Sequence, residues 1–234
     1  MVDIALRGEL WDNDSADILR WWGWRDITAP MDIQAALDAA GGDEVTLLIN
    51  SPGGDMTVGT EIRSMLRRYQ GKTTALFQGY GASAATLAAT GCQVIQSEPG
   101  ALLCYHNPSA ASEGDYHDMR RSAEALRNAR DCVLEVYTSR GGAKSREELI
   151  TLMDKNIWIS PSQALDYGLI DEIVGQAGAE EDPAAFVAAA GGRIRLTAAM
   201  RQQYQDHLED ARLEEQAKER AKCAMAKLRA LANF

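Results

Sequence analysis

Residues 44–90 hold two apolar runs of strand type, each ending in a glycine-bearing junction and each followed by a helical pattern. EVTLLIN, residues 44–50, is continuously apolar in the manner of a strand buried on both faces. It runs into SPGGD and then into a helix of about MTVGTEIRSMLRRYQ that ends at Gly71. KTTALFQG, residues 72–79, leads through a glycine turn to Ser83 and a short helix of small residues, with further strands near CQVIQSE and ALLCYHN. This alternation constrains the fold to an α/β domain built on crossover units. In such sheets function gathers where strands end and helices begin, so SPGG and GYGAS are the first places to look.

On the N-terminal side, VDIALRGEL (2–10) alternates like a half-buried strand and ends in a polar turn, Asp12 to Ser15. WWGWR, Trp21 to Arg25, is read either as a packing or oligomer contact or as a substrate-binding wall. Pro30 opens a helix over MDIQAALDAA, closed by Gly41 and Gly42. Beyond His106 a polar loop, NPSAASEGD, leads into a long helix from Tyr116 to about Ser139. SREELITLM follows as a serine-capped helix, then DKNIWIS, a short helix over PSQALDYG opened by Pro161, and LIDEIV as a last strand. The Gly, Ala and acid-rich GQAGAEEDP (175–183) marks a boundary. The expected organisation is a domain over 1–175, a weakly structured linker over 176–197, and an amphipathic helix over 198–234 with Met200, Tyr204, Leu208, Ala211, Met225, Leu228 and Leu231 on its apolar stripe. That helix either packs on its own assembly or recruits a partner.

The net charge of −10 argues against a general affinity for nucleic acid or anionic membranes. It is carried by the body: residues 198–234 hold seven Lys/Arg and six Asp/Glu, so the tail is nearly neutral. Cys92, Cys104, Cys132 and Cys223 form no CxxC pair and no metal-type cluster with the three histidines, so buried thiols in a reducing compartment are expected. The N-terminus lacks a basic region followed by an apolar stretch, and no run reaches the ~18 apolar residues of a membrane span. The expectation is a cytoplasmic protein with no metal. The absence of a GxxxxGK[ST] phosphate loop means that any ATP-driven step belongs to a separate partner.

Ser83 stands where a strand hands over to a helix, and the unpaired N–H groups of a first helical turn are ready donors for an anion. It reads either as a helix cap or as a nucleophile. An acyl-transfer site needs a base, a group to orient that base, and oxyanion donors. His106 ends the apolar strand ALLCY, where its ring can face a cleft, whereas His117 and His207 fall on polar helix faces. Ala84 supplies an N–H beside Ser83, and Gly53 and Gly54 let backbone approach a ligand closely.

INSPGG followed by Asp55, GYGASAATLAATG, ALLCYHNP and IWISPSQALDYGLIDEIV, in that order, resemble the ClpP family of serine peptidases over roughly residues 2–175. The tryptophan-bearing N-terminal segment, the W-x-S-x-x-x-A-x-x-Y-G-L-x-D ending and the added C-terminal region are most similar to the ClpP-related head-maturation (prohead) proteases of tailed phages. The resemblance implies a crotonase-like fold of repeated β-β-α units with a projecting long helix. It also implies homo-oligomeric, heptameric rings that can stack, acting on polypeptides in the bacterial cytosol or a phage-infected host cell. Capsid and scaffold proteins would be the phage-type substrates, and an AAA+ unfoldase is the partner of other members.

By the resemblance Ser83 is the nucleophile, His106 the base, and Gly54 and Ala84 the oxyanion donors; no cofactor is implied. The acidic third member lies four residues before the residue that opens the following helix, which here is Asn156 rather than an acid. Asparagine can hold an imidazole tautomer but cannot offset its developing charge. Three readings stay open: a Ser-His-Asn triad, a triad completed by Asp154, or a slow or inactive enzyme. At the level of function a serine endopeptidase stands beside a non-catalytic ring-forming assembly protein and a crotonase-type acyl-CoA enzyme that would use the paired glycine N–H groups.

Overall fold

The computed structural model describes residues 1–140, 142–175 and 196–231. In chain order the elements are β1 (Val2–Leu10), α1 (Asn13–Trp21), β2 (Ile27–Thr28), α2 (Pro30–Ala40), β3 (Val45–Gly54), α3 (Met56–Arg68), β4 (Thr73–Ala82), α4 (Ala84–Ala89), β5 (Val94–Ser97), β6 (Leu102–Cys104), α5 (Tyr116–Thr138), α6 (Arg146–Lys155), β7 (Trp158–Ile159), α7 (Pro161–Asp166), β8 (Glu172–Ile173) and α8 (Ala198–Leu231). They form two units, Met1–Ala16 with Arg25–Ala190, and Asp17–Trp24 with Gly191–Phe234.

The first unit is the α/β domain anticipated from the strand and helix alternation. Its sheet runs β2-β1-β3-β4-β5-β8, every pair parallel. The fully buried Leu6, Leu47, Ile49, Phe77 and Ile95 join Ile33 of α2, Ile62 and Leu66 of α3 and Leu134 of α5 in one core. Burying such side chains contributes about 1.5–3 kcal/mol each. Caps written in the sequence start the helices: Asp32 accepts from Ala29 N–H at the head of α2, Asp55 from Thr57 N–H at α3, and Ser145 from Glu148 N–H at α6.

β4 positions the site. Its edge is shared between two strands, since Thr74–Phe77 pair with β5 and Tyr80–Ala82 pair with β6. β7 then adds antiparallel to β6. The strand that leads to His106 therefore lies against the last residues before Ser83.

Several elements differ from the sequence expectation. Both apolar strands continue through their glycines: β3 reaches Gly54 and β4 reaches Ala82. The neighbours supply the reason, because Gly53 and Gly54 pair with Glu9 and Leu10 of β1, and Ser51 pairs with Gly81 after a register shift. Asn50 bridges that shift by accepting Tyr80 N–H on its side-chain oxygen at 3.2 Å. The polar turn at Asp12 to Ser15 is the start of α1, where Asp12 accepts from Ser15 N–H at 2.9 Å. The last strand shrinks to Glu172–Ile173. Cys92 and Cys104 are buried free thiols as expected, but Cys132 is exposed because it sits on the outward side of α5.

In the second unit Trp21 packs edge-on against Trp22 (centroids 5.4 Å apart) and stacks with Tyr204 and His207 of α8 at 5.9 and 5.0 Å. Trp21 thus serves packing within this unit, while Trp22 and Trp24 remain more than two-fifths exposed. The linker expected over 176–197 falls almost entirely outside the described residues, as do the side chains of Met225, Leu228 and Leu231. Among the described residues no helix is long and apolar enough to cross a membrane.

Candidate active site

Two non-glycine residues of the described chain have a positive φ, Ser83 and Asn156, and both are residues singled out from the sequence. They differ in cost. Asn156 sits at φ 49°, ψ 50° as the left-handed cap that ends α6, a conformation that asparagine tolerates better than most side chains. Ser83, at φ 55°, ψ −128°, occupies a region that costs of order 1–3 kcal/mol and persists only where the surroundings hold it.

What holds Ser83 is its backbone. Its N–H donates to Cys104 O at 3.1 Å, tying it to the end of β6. Its carbonyl accepts from the N–H groups of Thr86 (3.0 Å) and Leu87 (3.4 Å) and from the Thr86 hydroxyl (2.6 Å). The Ser83 side chain itself makes no cap hydrogen bond, so the helix-cap alternative does not describe it. α4 opens instead with Ala84, whose N–H at the first helical position has no carbonyl one turn back in the helix to meet.

Gly53 makes room for this turn. At φ +84° it lies where a side chain is strained, and a Cβ there would fall 2.7 Å from Ala84 N and 2.5 Å from Ala82 O. Its own N–H donates to Ser51 Oγ at 3.0 Å, and Ser51 Oγ donates to Gly8 O. Gly54, the residue assigned to the oxyanion site by resemblance, pairs with Leu10 in the β1–β3 ladder.

His106 lies two residues past β6, half-buried. It lines a pocket of about 30 Å³ together with Ser83, Met56, Ala84, Leu87, Pro108, Val133 and Tyr137. Apart from Ser83, His106 and Tyr137, whose hydroxyl is engaged by Thr86, the lining side chains are apolar. No hydrogen bond joins Ser83 to His106 among the described residues. His106 Nδ1 is 2.7 Å from Asn107 O, and since a carbonyl only accepts, Nδ1 is the donor in this bond, which in a neutral imidazole leaves the lone pair on Nε2. Asn107 precedes Pro108, which biases its backbone to extended conformations and so limits where that carbonyl can point.

Neither candidate third member reaches the imidazole. Asp154 accepts from Asn107 Nδ2 at 2.7 Å, one residue removed from His106. Asn156 Oδ1 faces Cys104 Sγ at 4.0 Å, at the outer limit of a thiol hydrogen bond. The strand register favours Asn156 nonetheless. Leu103 pairs with Ile159 and Cys104 with Trp158, so extending that antiparallel register two residues past the ladder sets His106 opposite Asn156. The Cys104 thiol beside it is pushed up to about 11 by burial and stays neutral at ordinary pH.

Sequence reasoning missed Asn107, Thr86 and Tyr137. Thr86 carries a local signal, a hydroxyl three residues after the strained serine, whereas Tyr137 reads only as part of the apolar face of α5. His117 stacks on Tyr116 at the exposed start of α5 and is not among the residues lining the Ser83 pocket, and His207 belongs to the second unit, where it packs on Trp21. Among the described residues no three His, Cys, Asp or Glu side chains converge to hold a metal ion.

Comparison with known proteins matches residues 31–177 to the family described as Clp protease. The ATP-dependent Clp protease proteolytic subunit of Nephroselmis olivacea is 32% identical over 137 residues, 58% of this chain and 65% of that protein. The chain thus spans just under two thirds of that relative's length. Subunit 1 of the ATP-dependent Clp protease of Leifsonia xyli is 27% identical over 203 residues, covering 82% of this chain and 97% of that protein. Among solved structures, an asparagine-to-aspartate variant of ClpP1 from Listeria monocytogenes aligns with a TM-score of 0.59 at 19% identity, over 75% of this chain and 92% of that one. At that identity the likeness speaks to the fold.

Proposed function

The chain belongs to the Clp protease family, and from that premise we propose that it is a serine endopeptidase that cuts polypeptides through an acyl-enzyme. The observation that carries the reading is Ser83: a strained, uncapped serine at the head of a helix, sharing a small pocket with a histidine whose Nδ1 faces the Asn107 carbonyl. In this reading Ser83 Oγ attacks the scissile carbonyl and gives its proton to His106 Nε2. The imidazolium then protonates the leaving amine, and water repeats the sequence on the ester. The Ala84 N–H, with that of Gly54 as the family resemblance assigns it, receives the negative charge on the carbonyl oxygen.

The third role is divided in this proposal. Asn107 O fixes the imidazole tautomer at rest, with Asp154 steadying Asn107 from behind. Asn156 comes opposite His106 when the β6–β7 register is extended by two residues, and in this proposal rotation of its amide away from Cys104 brings it to bear. A fluorophosphonate and unfolded casein test the reading together. Covalent labelling and casein cleavage are expected in the wild type and lost in Ser83→Ala. Labelling that persists in the variant removes Ser83 from the mechanism.

A second reading, a ring-forming assembly protein without catalysis, draws on the open contact between Ser83 and His106 and on Asn156 facing Cys104. It predicts no labelling and no cleavage by the wild type. At a finer level we propose rings of this chain, heptameric and able to stack, with an AAA+ unfoldase as a partner of the family type. The phage-like motifs support capsid and scaffold proteins as substrates. Co-expression with such a protein, compared between wild type and Ser83→Ala, reads this directly: processing only by the wild type supports it.

A further inference from the structure

We propose that Thr86 and Tyr137 are positioning residues for Ser83, forming a buried chain of two hydroxyls that runs from α5 to the Ser83 carbonyl and holds the strained serine in place. The inference rests on the serine-peptidase reading and adds to it a support for the backbone of the nucleophile.

The direction of the chain follows from proton counting. Thr86 Oγ1 lies 2.6 Å from Ser83 O, and a carbonyl only accepts, so Thr86 spends its single proton there. The Tyr137 hydroxyl, 2.7 Å from Thr86 Oγ1, must then be the donor to it. Both residues are buried, at 1% and 3% exposure, so neither bond competes with water. Burial also raises the Tyr137 phenol above its ordinary pKa, which keeps it a donor. The Tyr105 ring packs edge-on against Tyr137 at 5.3 Å and limits its movement.

Ser83 needs such a hold because α4 has only six residues to anchor it. Of the two helical N–H groups that reach its carbonyl, that of Leu87 is long at 3.4 Å, and the Thr86 hydroxyl makes the shortest contact. Turning the Ser83 peptide out of its positive-φ conformation would swing this carbonyl and, about the same Cα, carry the side chain with it. The hydroxyl chain opposes that rotation. Because Tyr137 also lines the pocket, the helix that walls the site is the one that fixes its nucleophile.

The test uses the full chain and the saturating rate of fluorophosphonate labelling, measured for Tyr137→Phe, Thr86→Val and Thr86→Ser. Tyr137→Phe and Thr86→Val are expected to slow the limiting labelling rate by about ten- to a hundredfold with half-saturating probe concentration unchanged. Thr86→Ser, which keeps the hydroxyl, is expected to recover most of the rate. A purely structural role would lower the melting temperature and leave the limiting rate of the folded fraction at the wild-type value, which overturns the inference. So does a Thr86→Ser rate as low as that of Thr86→Val. If Tyr137→Phe does not fold, the two Thr86 variants decide the matter by themselves. Wild-type labelling abolished by Ser83→Ala alongside unaffected Thr86 and Tyr137 variants removes this inference alone. A wild type that does not label removes the serine-peptidase reading and this inference with it.

Discussion

Helices α3 and α4 both begin where a parallel strand ends, and β3 and β4 are neighbours in the sheet, yet their first turns are satisfied differently. At α3 the chain places Asp55 in an extended conformation and its carboxylate accepts from Thr57 N–H at 2.7 Å, an ordinary N-cap. At α4 the residue in the same position is Ser83, whose hydroxyl caps nothing and whose backbone is bent into a positive φ. A side chain used as a cap has its oxygen committed to the helix. One withheld from that duty remains available to a histidine and a substrate, and the strain of withholding it is balanced by the bond Ser83 N–H donates to Cys104 O and those its carbonyl accepts from Thr86 and Leu87. The contrast separates a junction that terminates a strand from one that presents a group.

The strongest attempt to break this contrast is Ser83→Ala. Activity against casein should fall by at least about a thousandfold, because residues that act as a unit cannot replace the missing nucleophile. The melting temperature should hold or rise, since alanine loses no cap bond. A variant with wild-type turnover would mean that the bent junction presents nothing.

Gly53→Ala attacks the space instead of the group. Its Cβ would press on Ala82 O and Ala84 N from a φ of +84°, so the two junctions cannot keep their spacing. We expect limiting labelling to drop by about a hundredfold from sub-ångström displacement of Ser83, with a stability loss of roughly 1–3 kcal/mol in chemical denaturation. Equal labelling rates would show that the elbow does not depend on this contact.

Asn156 sharpens the comparison from the base side. Asn156→Asp puts a carboxylate where the β6–β7 register, extended by two residues, faces His106, and labelling should accelerate by about tenfold, because a carboxylate offsets the imidazolium charge that an amide cannot. Asn156→Gly keeps the left-handed cap without the amide and should leave the melting temperature near wild type. A slower label in Asn156→Asp would assign the orienting role to Asn107 and Asp154 alone.

The smallest effect belongs to the quiet junction. Asp55→Ala should lower stability by about 1 kcal/mol, the usual worth of an N-cap, while labelling of Ser83 stays at the wild-type rate. A large loss of labelling would mean that the two junctions are coupled more tightly than their hydrogen bonds imply.

Much of this was legible in the chain. Continuous apolar runs over 44–50 and 72–79 gave the buried strands, and prolines, caps and 3.6-residue spacing gave α2, α3, α5, α6 and α7, because these signals are local. The candidate nucleophile and base were legible through their ordered motifs. Less visible were the strand character of SPGG and GYGA, where glycines read as turns but ladder partners keep them extended, and α1, whose cap reads as a polar turn.

By itself, then, the sequence determined which residue types stand at each strand end, including a serine before small residues, a histidine before Asn-Pro, and asparagine in place of an acid. Only the tertiary structure decided what each of them does with its hydrogen bonds. Asp154 meets Asn107 across 47 positions, Asn156 faces Cys104 across 52, and Tyr137 reaches Thr86 across 51. Local propensity cannot encode such pairings, since they exist only after the sheet has brought β4, β6 and α5 to one edge. The strain at Ser83 is decided there too: a positive φ on a serine is unfavourable in any short segment, and it survives because contacts made elsewhere in the fold outweigh it.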